Sequence, residues 1–231
     1  MTISILAFDE KTGAYGGAAT TGSLCVGGWV LRGDPESGLS ASQGSLPSTM
    51  WGTDVLALMR GGTPAAEAVH QITSADSGRA ERQLAALDPR GTSGHFTGTN
   101  SIPVADARSA PNVVVTGNLL ASSAVLEACL SGFLNTTGSL DTRLMAALDA
   151  AASEGGDSRG LLSAALLVVS RDRPPMTLRI DHSQTPLADL RALHGRATSG
   201  LYGDWVTHVP TLDDPQRSVP FVATKDPVTP Q

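Results

Sequence analysis

Residues 161–170 read Leu-Leu-Ser-Ala-Ala-Leu-Leu-Val-Val-Ser. A strand with one wet face alternates apolar and polar residues, and this run does not. Leu161 to Ser170 is therefore predicted to be a strand buried on both faces. A sheet covered on both sides needs a layer of structure against each face.

The flanking chain supplies those layers. Met176 to Asp181 reads as a neighbouring strand, and Pro186 to Arg196 as a short helix with proline in its first turn. Upstream, Leu140, Leu144, Leu148 and Ala152 recur every four residues, which predicts a helix over Ser139–Ala152 with Ser139 as its cap. Val125, Cys129 and Phe133 do the same over Ser122–Leu134. Further back, Glu81–Leu87, Thr92–Thr97 and Asn112–Thr116 read as strands. Two helices precede them. Met50, Val55, Leu58 and Met59 mark one that Gly61-Gly62 closes, and Thr63-Pro64 opens another with Ala65, Ala68, Val69 and Ile72 as its stripe. The first forty-odd residues read as all β. Thr2–Phe8 and Ala14–Thr20 form a hairpin across the turn at Asp9–Gly13. Leu24–Leu31 and Ser37–Gln43 are two more strands, split by Gly33-Asp34-Pro35-Glu36. The glycines and alanines of these strands predict that something packs close against them.

The order is β-block, two helices, β-block, two helices, β-block. It predicts an α+β domain over residues 1–200, with two stacked sheets between two helical layers. Residues 201–231 are set apart by Pro210, Pro215, Pro220, Pro227 and Pro230. They still carry Trp205, Val209, Leu212, Val219 and Phe221, and so predict an extension packed on the domain or on a partner subunit of a homodimer or higher homo-oligomer.

Composition excludes several classes of function. Of 231 residues 41% are hydrophobic and 16% charged, and the net charge is −6, which argues against nucleic acid or an anionic membrane as partner. No run reaches the ~20 apolar residues of a membrane span, and the N-terminal stretch has no signal-peptide pattern, so a cytoplasmic protein is expected. Cys25 and Cys129 are too few for a disulfide framework and read as buried thiols. The five histidines lack metal-ligand spacing, and no phosphate-binding, dinucleotide or serine-hydrolase motif is present. No metal or cofactor is expected.

Three polar clusters remain, each at a strand end beside a glycine: Ala41-Ser42-Gln43-Gly44, Thr116-Gly117-Asn118 and Gly155-Gly156-Asp157-Ser158-Arg159-Gly160. Turn chemistry accounts for each alone. As loops at strand ends they also let backbone approach a ligand closely.

Taken in order, "TISILAFDEKTGAYGGAA", "SASQ", "TGNLL", "GGDSRGLLSAALLVV" and "LRIDHSQTPLADLRAL" resemble an uncharacterised bacterial family, domain of unknown function 1028. The likeness runs from Thr2 to about Leu193. The family's fold is similar to that of the Ntn (N-terminal nucleophile) hydrolases. The resemblance implies a four-layer αββα sandwich. It also implies an amide hydrolase for a small amide or acyl metabolite, with Thr2 as nucleophile once Met1 is removed and its α-amine as base. Asn118, with backbone N–H groups near Gly117 or Gly44, would hold the oxyanion. Ser42, Gln43, Asp157 and Arg159 would bind substrate, Arg159 being suited to a carboxylate. The sequence departs from the pattern in places. Thr21-Gly22 stands where the family usually has Ser-Lys, and Asp181-His182-Ser183 where it has Asp-Asp-His. The only lysines are Lys11 and Lys225, which leaves Arg32 as the cation of the early strands. A catalytically silent protein that binds a small ligand on the same scaffold is the competing expectation.

Overall fold

The structure is a computed structural model, and it describes residues 2–102, 104–155 and 160–221. In chain order the elements are β1 (Thr2–Asp9), β2 (Ala14–Thr21), α1 (Val26–Trp29), β3 (Leu31–Asp34), β4 (Gly38–Gly44), α2 (Thr49–Arg60), α3 (Ala65–Ser74), β5 (Arg82–Leu87), β6 (Ser93–Thr97), β7 (Asp106–Ala110), β8 (Val113–Asn118), α4 (Ala124–Asn135), α5 (Leu140–Ser153), β9 (Ser163–Val169), β10 (Met176–Ile180), α6 (Pro186–Ala197) and α7 (Gly200–Val206). The strands form two antiparallel sheets. The larger has the order β10-β9-β2-β1-β8-β7 and the smaller β3-β4-β5-β6.

Alternation along each strand divides the core into three apolar layers. Ile3 and Ile5 of β1, Val113 and Val115 of β8, and Leu166 of β9 face α4 and α5, where they meet Val125, Cys129, Phe133, Leu144 and Leu148. Leu6, Val114 and Leu167 point the other way, onto Leu39, Ala41, Ala85 and Leu87 of the smaller sheet. The far side of that sheet buries Leu84 and Ala86 under Trp51, Val55, Met59 and Val69 of α2 and α3. The result is helices, sheet, sheet, helices: the four layers expected from the sequence. Each fully buried Leu or Ile in these layers contributes roughly 1.5–3 kcal/mol. The small residues of β2 have the predicted purpose. A Cβ on Gly16 would lie 2.5 Å from Leu144 Cδ1, so α5 sits directly on the strand.

Four local expectations are corrected. Leu24–Leu31 is not a strand. Cys25 is left-handed (φ 59°) and starts the single turn of α1, whose Gly27 is pressed against Ala165 and Arg179. Ser139 does stand at the cap position of α5, but its hydroxyl bonds Thr142 Oγ1 (3.0 Å) rather than a backbone N–H. The edge strand β7, Asp-Ala-Arg-Ser-Ala, was not foreseen, because backbone pairing to β8 rather than apolar side chains holds it. The proline-rich segment begins with a helix, α7. It is then tied to the β9–β10 turn by Asp213 N–H donating to Arg171 O (3.0 Å) and by the Arg171–Asp213 ion pair (2.9 Å). No helix among the described residues is long and apolar enough to cross a membrane.

Candidate functional site

The space between the sheets is apolar at one end and polar at the other. On β1 the inward residues run Phe8, Leu6, then Ser4, Thr2. On β8 they run Val114, then Thr116, Asn118. On β4 and β5 they run Leu39, Ala41, Gln43 and Leu87, Ala85, Gln83. Register aligns the polar positions. Thr21, Thr2 and Asn118 lie side by side on the larger sheet, and Gln43, Gln83 and Thr97 side by side on the smaller one.

These two rows bond across the sandwich. Gln83, fully buried, is the hub. Its Oε1 accepts from Gln43 Nε2 (2.7 Å) and from Asn118 Nδ2 (3.2 Å). Its Nε2 faces Thr97 Oγ1 (2.9 Å), Gly117 O (3.0 Å) and Asp106 O (3.2 Å). Ser4 gives its single hydroxyl proton to Gln43 Oε1 (2.9 Å), so Thr116 must be the donor in the 3.0 Å bond between the two hydroxyls. A buried amide left without partners costs about 1–3 kcal/mol, and here both ends of the Gln43 and Gln83 amides are matched. The array is therefore rigid and fixes how Asn118 is presented.

Thr2 is half-buried at the outer end of this array and shares a 3.0 Å hydrogen bond with Thr21 Oγ1. Beyond Asn118 the chain turns sharply. Leu119 takes a left-handed conformation (φ 55°), costing about 1–2 kcal/mol, and backbone bonds from Leu119 and Leu120 to Ile102 and Val104 hold it there. Gly44 closes the smaller sheet's row with φ 130°. A Cβ there would lie 2.5 Å from Glu81 O, so only glycine fits.

Of the residues expected in the site, Thr2, Gln43 and Asn118 are brought together. Ser42 is not. Strand alternation turns it to the other face, where its hydroxyl donates to Ser48 O (2.7 Å) and secures the entry to α2. Arg32 also lies on that outer face, its stem beside Gly52 of α2 and its Nη1 donating to Trp29 O (2.9 Å), away from Thr2. Asp157 and Arg159 lie outside the described residues, as does Lys225. The described residues flanking 156–159 are anchored near the array. A Cβ on Gly155 would lie 3.3 Å from Ala121 Cβ, three residues after Asn118, and Leu162 N–H donates to Thr21 O (2.9 Å). Among the described residues no hydrogen bond joins Thr2 to a lysine or histidine, and no group of three or more His, Cys, Asp or Glu is placed to hold a metal ion. Cys129 is buried in the α4 core, and burial pushes its thiol pKa up, away from reactivity. Gln83, Ser4, Thr116 and Thr97 were missed. The signal was present: reading every second residue of each strand shows polarity rising at the same end.

A cavity of about 520 Å³ opens elsewhere, at the β3 edge, and none of Thr2, Gln43 or Asn118 lines it. The polar array and this cavity are thus separate features.

No curated protein matches this chain. Among solved structures, the crystal structure of protein SPO2555 from Silicibacter pomeroyi, a DUF1028 protein, is similar at 49% identity and a TM-score of 0.90, covering 94% of this chain and 98% of its own. The pattern described as "Family of unknown function (DUF1028)" matches residues 2–190, close to the stretch that carried the resemblance in sequence. By that match, and by the shared fold of its solved relative, the chain belongs to the DUF1028 family.

Proposed function

We propose that the protein is an amide hydrolase of the N-terminal-nucleophile type, acting on a small amide or acyl metabolite. The observation that carries this reading is Thr2 itself. Its hydroxyl stands at the rim of a buried amide array, in register beside Asn118 and bonded to Thr21. The chemistry needs a free α-amine on Thr2. That amine takes the hydroxyl proton as Oγ1 attacks the carbonyl carbon. The oxyanion is held by the Asn118 amide hydrogen that Gln83 does not engage, one such donor being worth roughly 2.7–4 kcal/mol of barrier. Collapse breaks the C–N bond, the leaving amine takes the proton, and water then hydrolyses the acyl ester. Asp157 and Arg159 are assigned to substrate binding, supported by the anchoring of their flanks at Ala121 and Thr21.

The test is intact-mass measurement of protein from its own host, followed by a screen of short acyl-amide substrates with wild type, Thr2→Ser and Thr2→Ala. The proposal expects a chain starting at Thr2, turnover by wild type and by Thr2→Ser, and none by Thr2→Ala. A chain that still carries a residue before Thr2, with turnover unaffected by Thr2→Ala, overturns it.

One observation favours a second reading, a catalytically silent binding protein: among the described residues no lysine supports Thr2. Its mark is a blocked Thr2 with ligand binding intact. For the assembly, we infer a homodimer that uses residues 201–231 as an extension of the 1–200 domain in a cytoplasmic setting. Exposed Leu201, Tyr202 and Trp205 on α7 support this, and light scattering with and without residues 200–231 tests it.

A further inference from the structure

The cavity at the β3 edge has a structural cause. The larger sheet carries β10 beyond the reach of the smaller sheet, whose outermost strand, β3, lies over β9 and β2. Among the described residues the inner face of β10, with Thr177 and Arg179, therefore has no strand opposite it, and α1 packs partly across it. The hollow of about 520 Å³ is walled on the other side by β3 and by Thr53, Leu56 and Arg60 of α2. That volume suits a small organic molecule.

Three arginines line it, and their states differ. Arg179 is chelated by Asp181, with Nη2 at 2.9 Å and Nε at 3.1 Å from Oδ1. Arg60 is paired with Glu36. Arg32 has no carboxylate partner among the described residues and bonds only the carbonyl of Trp29. Asp34, on the same wall, is occupied in accepting the backbone N–H groups of Glu36 and Ser37, both at 2.9 Å. Burial lowers the pKa of Arg32, and no counter-charge among the described residues offsets it, yet a guanidinium keeps its proton. A half-buried cation without a partner is costly, and an oxyanion removes that cost.

The arginines are also seated. A Cβ on Gly52 of α2 would lie 3.2 Å from Arg32 Cδ, and one on Gly27 of α1 2.7 Å from Arg179 Cγ. Each stem crosses a helix at a glycine, so both heads are held at the cleft by close packing. Beside them the wall is apolar, with Leu31, Leu56 and Leu167.

We propose that this cleft is a second ligand site, separate from Thr2, which binds a small carboxylate with an apolar body: the carboxylate on Arg32, the body on Leu31, Leu56 and Leu167. Inorganic phosphate lacks the apolar half and is not the expected class.

The test is ¹H–¹⁵N NMR titration of the full chain with hexanoate, with hexan-1-ol as the neutral control and inorganic phosphate as the competing oxyanion. Hexanoate is expected to shift resonances of β3, β10 and α2 and to saturate, and hexan-1-ol is not. Arg32→Gln is expected to weaken hexanoate at least tenfold. Thr53→Glu places a carboxylate in the cleft from an exposed position on α2, where folding is undisturbed, and is expected to do the same. Thr2→Ala is expected to leave binding unchanged, which separates this site from the proposed catalytic one. Absence of hexanoate binding to wild type, binding that survives both cleft substitutions, or saturation by phosphate but not hexanoate overturns the proposal.

Discussion

Gln83 and Asn118 lie on different sheets, and a 3.2 Å hydrogen bond from Asn118 Nδ2 to Gln83 Oε1 joins them across the sandwich. Gln83 Nε2 also reaches Gly117 O, so one side chain grips both the amide and the backbone of the β8 terminus. Removing that grip tests how much of the fold the array carries. Gln83→Leu keeps most of the volume but strips partners from Gln43, Asn118, Thr97 and Gly117. The expected loss is roughly 2–4 kcal/mol, from several buried polar groups left unmatched. Urea denaturation checks it, and a loss below about 1 kcal/mol would show that the array carries little of the fold.

Gly44→Ala should be costly for a different reason. The position combines φ 130° with a neighbouring carbonyl, Glu81 O, only 2.5 Å from where the methyl would sit. Backbone strain of about 1–3 kcal/mol adds to overpacking of similar size. A fall in thermal stability with displaced Gln43 and Gln83 side-chain amide signals is the expected result. Unchanged stability would mean that the β4–β5 end gives way easily.

The sequence carried the architecture well where apolar period was the cause. The doubly buried β9 strand and the four-residue spacings of α4 and α5 are direct consequences of burial, and burial is what a period records. It carried α1 and β7 poorly. Val-Gly-Gly-Trp turns helical because Arg179 and Ala165 press on Gly27 from elsewhere in the chain, and β7 is a strand because β8 offers it a free edge. Neither cause is local. In the site, Thr2, Gln43 and Asn118 were legible as strand-end polar residues. Ser42 was misjudged because a one-residue step along a strand reverses the face. Gln83 was missed because it sits one strand away from any loop cluster and reaches Asn118 only across the sandwich.

Asp141 of α5 and His194 of α6 form a half-buried pair, Nε2 to Oδ2 at 2.5 Å. Burial works against the charged carboxylate, but hydrogen bonds from Ser139, His194 and the Thr142 N–H outweigh it and hold the Asp141 pKa below the usual carboxylate range. A depressed acid contributes stability that is full above its unfolded value, about 3.9, and fades as pH falls towards the lower folded value. Asp141→Asn should therefore be less stable than wild type at pH 7, with the gap closing below about pH 4. A gap that stays constant from pH 7 to pH 2.5 would remove the carboxylate from the explanation.

The two thiols should differ in access. Cys129 is buried between α4 and the larger sheet, while Cys25 is half-buried at the start of α1. In native protein a thiol-specific reagent should label Cys25 and leave Cys129 until denaturant is added. Equal native labelling of both would mean that α4 opens readily from the sheet.

Thr2 is the proposed nucleophile, and its pH dependence separates the two readings. A free α-amine at Thr2 has an ordinary pKa of about 7.7–8.0 and acts as base only when neutral. If it is the base, kcat/KM for an amide substrate should rise with pH up to about 8 and then level off. Thr2→Ser should retain the profile at a changed rate, since the amine is untouched and a primary hydroxyl replaces a secondary one. Thr2→Ala should abolish turnover while costing at most about 1 kcal/mol of stability, because the side chain is half-buried and its recorded side-chain hydrogen bond is to Thr21. The outcome that sinks the assignment is a flat pH profile with turnover surviving Thr2→Ala. The base would then lie elsewhere, and the alignment of Thr2 with Asn118 and Thr21 would be a feature of sheet register alone.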